Sequence, residues 1–430
     1  MKRSLPTLAI AATLATCLQL FAQDGPKEDD FLIFDKIEED LRAAPAKPAP
    51  PPPAENDPAS KRPLPGSAKG SLRTILLDVP DKSFATGRLS TLSASATQRG
   101  AQTEPSVEFA EATVSLAASL NKAATSLLAA HPEFPDGVTL KVSAEGGYGS
   151  HEHDAAAVAT AILLESIGTG RALDPDAALL GGVDEKGRIT AVQRLATRLR
   201  TLEGEAPPVI GVPMVSEIEV RDLALMSELD VLAKQQIISL VTLDDARAIS
   251  AKERPEKVSK AFTLFAGVRQ AAGTSPITTL LKNPKFLQRL KDITDLMPNH
   301  LSARLLLQAA ANKVPGRITF ATSRQAILKA MKPFINVTST NRPAKEIQTV
   351  AMEGGNVLLR LQPKIHPAAE RYLFAMKAYL RSVTNFLDIK NDAQHAAVRN
   401  RAVVELNKFL SDVQAEKQKL DKAEGTLQGN

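Results

Sequence analysis

The hydrophobic period changes repeatedly across residues 138–198, and that alternation constrains the fold more than any other part of the chain. VTLKVSA alternates apolar and polar positions, the period of a strand, and the glycine-rich polar loop GGYGSHEHD follows it. AAAVATAILLESI is apolar at helical spacing, DAALL reads as a second strand, DEKGR as a turn, and AVQRLATRLRTL as another helix. Strands interleaved with helices need a sheet with helices packed on it, so the expected class here is α/β (α+β).

The pattern extends in both directions. SLRTILLDVPD and GRLSTLSASATQ read as paired strands, and VEFAEATVSLAASLNKAATSLLAAHPEF as one long helix closed around Pro132 and Pro135. From Lys257 onward the pattern is helical: KVSKAFTLFAGVRQAAG, ITTLLKNPKFLQRLKDITDLM, HLSARLLLQAAANK, RQAILKAMKPFINV, PAAERYLFAMKAYLRSVTNFLDI and a final stretch from NDAQHAAVRN to QKL. These stretches predict an all-α domain, a bundle or an array of helical hairpins.

Residues 1–22 have a basic start, an apolar run and a small residue at Ala22, the grammar of an export signal. Processing at Cys17 as a lipoprotein is the alternative, so the expected location is periplasmic or extracellular, with envelope association. Residues 23–70 are rich in Pro, Ala and charge and read as an extended spacer. Within them FLIFDKIEEDLRAA has helical spacing. The expected limits are therefore 71–250 for the α/β domain and 251–430 for the helical one. Cys17 is the single cysteine, so no disulfide framework is expected. The net charge of +5 is spread over both halves, tryptophan is absent and aromatics make up 4%, which argues against a nucleic-acid platform. There is no GxxxxGK[ST] sequence, hence no ATPase domain of that type in the chain.

The order and spacing of GTG (168–170), DPDAALLGG (174–182) and GRI (187–189), with the elements around them, resemble the proteolytic domain of Lon-type Ser/Lys peptidases over roughly residues 70–250. The resemblance implies further strands at PPVIGVP and IISLV, each followed by a helix. It also implies a nucleophile at the start of the first helix and a lysine base on the second. Those positions are held here by Ala155 and Arg198. No Ser, Thr or Cys lies between His151 and Ala159, and no Lys between Gly187 and Ala233, so a slip in alignment restores neither group. A methyl group has nothing to activate, and a guanidinium stays protonated. Neighbouring positions depart together: His153 and Asp154 replace a glycine-proline pair, Ala157 a glycine, Leu180 a threonine and Gly182 an acidic residue.

The loop offers other chemistries. His151 and His153 with nearby carboxylates are compatible with a first-row metal, but no further histidine is near in sequence and no HExxH occurs. A solvated loop with Asp154 capping the following helix is the plainer reading. Ser150 with His151 or His153 is a poor catalytic pair because adjacent loop residues rarely achieve the needed geometry. Arg188, Arg194, Arg198 and Arg200 either bind a carboxylate or form a solvated, salt-bridged face. His300, His366 and His395 stand isolated. What the resemblance implies is therefore a non-catalytic envelope module that binds a peptide or protein through Gly149, Ser150, His151, His153, Asp154, Gly181, Gly182 and Arg198. No metal or other cofactor is expected, and a homo-oligomer is compatible with the family. The alternative is an ATP-independent serine-type or metal-dependent endopeptidase using non-standard residues.

Overall fold

The computed structural model describes residues 69–81, 84–98, 106–110, 138–148, 155–202, 207–314, 316–331, 344–388 and 396–428, with parts of 112–125. The expected export signal, the proline-rich spacer and residues 149–154 lie outside the described residues.

A seven-stranded mixed sheet has the order β3-β4-β2-β1-β5-β8-β9. Strands β1 (Lys69–Asp81) and β2 (Phe84–Gln98) form the expected antiparallel pair, with Leu72 opposite Leu92. β3 (Ser106–Phe109) runs parallel to β4 (Val138–Ala144), which is antiparallel to β2. The expected long helix therefore does not begin at Val107. SVEF alternates exposed and half-buried side chains, and that period of two prevails locally. Helical residues follow from 116, burying Leu116, Leu120, Ala123 and Ala124 at three- and four-residue steps. β5 (Ala177–Leu179), β8 (Val209–Pro213) and β9 (Ile237–Leu240) extend the sheet in parallel, while β6 (Gly182–Val183) and β7 (Ile189–Thr190) form a separate small ribbon.

Helix α1 (Ala157–Thr169) is buried on nearly every side, between the sheet and α5 (Leu243–Ser250). Its alanines permit that close packing. A Cβ at Gly70 of β1 would stand 2.9 Å from Leu163 of α1. Helix α2 (Leu195–Arg200) packs so tightly on β2 that a Cβ at Gly87 would stand 2.1 Å from the Arg198 carbonyl oxygen. Gly87 pairs with Leu77. Leu77 and Gly70 are an odd number of residues apart along one strand, so α1 and α2 cover opposite faces of the sheet.

Helices α3 (Glu217–Leu225) and α4 (Leu229–Lys234) link β8 to β9. Beyond the sheet the described residues are helical: α6 (Glu256–Thr274), α7 (Ile277–Leu280), α8 (Pro284–Leu296), α9 (Leu301–Ala310), α10 (Phe320–Met331), α11 (Ala344–Leu361), α12 (Glu370–Asp388) and α13 (Ala396–Gln428). The stretch expected as one helix from Ile277 to Met297 is two, because Asn283 caps α8 and Pro284 occupies its first turn. Helix α11 was not expected, since Gly354 and Gly355 interrupt its reading, yet Ile347, Ala351, Leu358 and Leu361 share a buried stripe.

Two apolar clusters result. One runs from Leu72 through residue 250 without a break to Leu306, taking in Phe265, Phe286 and Leu301. The other joins Leu225 to residues from Ile318 to Val413. The first cluster is continuous because α9 closes the sheet edge. Ser302 Oγ accepts the Ile237 N–H at 3.0 Å and donates to the Gln235 carbonyl at 2.7 Å, while Ile238 bridges His300. No described helix is long and apolar enough to cross a membrane.

Candidate functional site

Of the positions named by the resemblance, Ala155, Gly181 and Gly182 lie together just past the C-terminal end of β5, and Arg198 lies against the middle of β1. The Gly181 N–H donates to the Ala155 carbonyl at 2.8 Å, and the Val158 N–H donates to the Gly181 carbonyl at 2.9 Å, which pins the entry to α1 against β5. Gly181 has φ of 150°, and a Cβ there would stand 2.5 Å from Val158 Cγ2, so the junction requires glycine. Gly182 continues into the ribbon opposite Thr190. Ala155 is 1% exposed. Helix α1 begins at Ala157 with Ala156 as its capping position. Gly149, Ser150, His151, His153 and Asp154 fall outside the described residues.

Arg198 is 2% exposed, which overturns the solvated-face reading for this arginine. β1 and β5 pair only at Arg73 and Ala178 and then separate. Side chains take over the backbone groups exposed by that split. Thr74 Oγ1 donates to the Leu179 carbonyl at 2.8 Å, and Arg198 Nη1 donates to the Ile75 carbonyl at 2.8 Å. Arg198 Nε also donates to the Gln193 carbonyl at 3.1 Å. The guanidinium thus stitches α2 to β1.

Its relatives do not converge on a common anion site. Arg188 pairs with Asp184 at 2.7 Å and Arg200 with Glu228 at 2.6 Å. Arg194 sits in the left-handed region at φ 56°, where the chain turns into α2.

Sequence reading missed two buried carboxyl groups, Glu219 beside Arg198 and Asp222 beside Glu219. Glu219 and Asp222 lie three apart on one face of α3, a spacing visible in EIEVRDL but not informative until α3 is placed. Glu219 Oε2 accepts the Ala196 N–H at 3.2 Å. Burial pushes the Glu219 carboxyl up to about 7, and the Asp222 charge pushes the same way. The amides of Ala196 and Leu195 and the Arg198 charge oppose the rise. Burial likewise raises Asp222, against hydrogen bonds that favour its ionised form. Asp222 accepts from Thr319 N at 2.9 Å and from Thr319 Oγ1 at 2.6 Å, and Thr197 Oγ1 donates to Gln325 Oε1 at 2.6 Å. Residues 319–325, at the entry to α10, are thus tied to α3 through Asp222 and to α2 through Thr197, the neighbour of Arg198.

Chemically, this centre combines a methyl group, a committed guanidinium and carboxyl groups held by amides and hydroxyls. Among the described residues no cluster of three or more His, Cys, Asp or Glu is poised to hold a metal. Two cavities of about 1050 and 1010 Å³ lie elsewhere, and neither is lined by Ala155, Gly181, Gly182 or Arg198. His300 is fully buried against Phe265, with ring centroids 4.6 Å apart, and burial pulls its imidazole down to about 3. His366 caps a short helical turn through the Ala368 N–H. His395 is outside the described residues. No protein-family model matches the chain, and a search of curated proteins likewise finds no match.

Proposed function

We propose that this chain is an exported, non-catalytic relative of the Lon proteolytic domain that recognises a peptide or protein without cleaving it. The observation that carries the reading is the state of the two dyad positions: Ala155 is a buried methyl, and Arg198 is buried with its guanidinium given to main-chain carbonyls. Neither residue supplies a nucleophile or a base. The family reading is supported by the order of elements around GTG, DPDAALLGG and GRI and by the Gly181 junction at the start of α1. The helical half adds a second surface for partners.

The test is cleavage of casein by the mature chain and by an Ala155→Ser/Arg198→Lys variant, each with and without chelator, with thermal melts to establish that both are folded. The expected result is no cleavage by the native chain. Gain of cleavage in the variant would establish the correspondence of the two positions. Cleavage by the native chain would overturn the proposal in favour of an ATP-independent peptidase, and its sensitivity to chelator would assign a metal to the 149–154 loop.

A further inference from the structure

The 1050 Å³ cavity opens at the other end of α1 from Ala155, lined by Ile167 and Gly168 from the close of that helix and by Lys69 and Ser71 from the start of β1. A helix of this length spans about 20 Å, so the cavity is a separate place from the dyad positions.

One wall of the cavity is an open strand edge. The Thr91 carbonyl accepts the Glu145 N–H on the β4 side of β2, so the odd residues of β2 turn toward β4 and its even residues toward β1. Through the pairing of Leu72 with Leu92, the even residues of β1 face β2. Its odd residues, Lys69, Ser71, Arg73 and Ile75, turn their main-chain groups to the opposite edge. The Arg198 bond to the Ile75 carbonyl agrees with that assignment. On this edge β5 meets β1 only at Arg73. The segment leading into β5 pairs elsewhere, with Leu173 bridging Ala251 and the Lys252 N–H donating to the Ala172 carbonyl. Among the described residues, no strand lies beside Lys69 and Ser71.

The charged side chains lining the cavity have one sign: Lys69, Lys141 and Arg171 line it, and no Asp or Glu does so among the described residues. Just beyond the lining, Glu165 holds Arg171 at 3.6 Å and Arg247 at 2.6 Å, Asp176 holds Arg73 at 3.0 Å, and Glu108 is the cross-strand neighbour of Lys141. Ser71, Ser93 and Ser143 form a hydroxyl row across the outer face. Lysines beside an open edge discourage indiscriminate pairing and favour an acidic strand.

We propose that the β1 edge at Lys69–Ser71 is a strand-addition site for an extended acidic segment of a partner protein, bound through the main-chain groups of Ser71 and the charges of Lys69, Lys141 and Arg171. The site does not depend on the family resemblance, and it stands even if the chain proves catalytic.

The experiment measures fluorescence anisotropy of a labelled nine-residue peptide of alternating Glu and Val or Thr, titrated with the mature full chain. The same peptide with Lys in place of Glu is the control. The expected result is salt-sensitive binding of the acidic peptide alone. Ser71→Pro deletes only the edge-facing N–H and should weaken binding at least tenfold with little change in melting temperature. Lys69→Glu/Lys141→Glu should do the same at exposed positions, which keeps the test decisive if the proline variant fails to fold. Absence of binding, equal binding of both peptides, or undiminished binding by folded Ser71→Pro would each overturn the proposal. So would hydrogen-exchange protection of the Ser71 amide in the free chain that is lost on reversing the acidic residues of 28–40, because the edge would then belong to the chain's own N-terminal arm.

Discussion

Arg198 has a structural role, its guanidinium donating to the Ile75 and Gln193 carbonyls. Removing its side chain leaves the Ile75 carbonyl without its donor at the split between β1 and β5 and deprives Glu219 of a neighbouring cation. Arg198→Ala is expected to cost about 3 kcal/mol in urea unfolding. Arg198→Lys should cost less, because one ammonium retains the charge but does not reach both carbonyls. Glu219 has a pH signature. Its folded carboxyl holds a proton more tightly than the unfolded one, so its contribution to stability is present below about pH 4.5 and is lost as pH rises to about 7. His300 acts in the opposite direction: it must be neutral when folded, so its contribution falls as pH drops below about 6.5 toward 3. The useful readout is therefore a difference. Relative to Glu219→Gln, the native chain should lose on the order of 2 kcal/mol between pH 5 and pH 8, and equal urea midpoints for the pair at both values would refute the assignment.

At the scale of elements, two glycines are expected to answer the same substitution with opposite signs. Gly87 carries the contact between β2 and α2, and an added Cβ meets the Arg198 main chain, so Gly87→Ala should destabilise by about 2–3 kcal/mol. Gly355 lies in α11 with nothing within 4 Å of its added Cβ, so Gly355→Ala should stabilise by about 0.5–1 kcal/mol through helix propensity. Thermal melts of the two variants check both signs. The same pair marks where pattern reading worked and where it did not. The strands β1, β2 and β4 were legible because their apolar residues alternate or run together between turn residues. Helix α11 was not, because two adjacent glycines look like a break until Ile347, Ala351 and Leu358 are seen packing in the second core.

For the whole molecule, the decisive feature is the joint between the sheet-bearing unit and the later helices. It rests on Asp222 holding Thr319, on Thr197 with Gln325, on Lys364 Nζ donating to the Leu225 carbonyl at 2.6 Å, and on Leu225 entering the second cluster. Asp222→Ala leaves the Thr319 amide and hydroxyl without their acceptor and should loosen the joint. The expected outcome is faster amide exchange for residues 318–388 with little change in β1, β5 and β8. Uniform loss of protection across both clusters would mean that they unfold as one unit.

The amino-acid sequence by itself determined the mixed α/β class and the helical second half, because hydrophobic period is a local property of the chain. It also singled out Arg198 and its neighbouring arginines, but neither their partners nor Glu219 and Asp222. Only the tertiary structure decided that Arg198 is buried against the Ile75 carbonyl, that Glu219 stands beside it, and that the first core continues past residue 250 to Leu306. Those outcomes depend on contacts between residues far apart in the chain: strands that pair once and then diverge, and helices that meet across a sheet. The open β1 edge is the same kind of fact, since a strand's pattern specifies which side chains face inward but not whether another strand lies beside it.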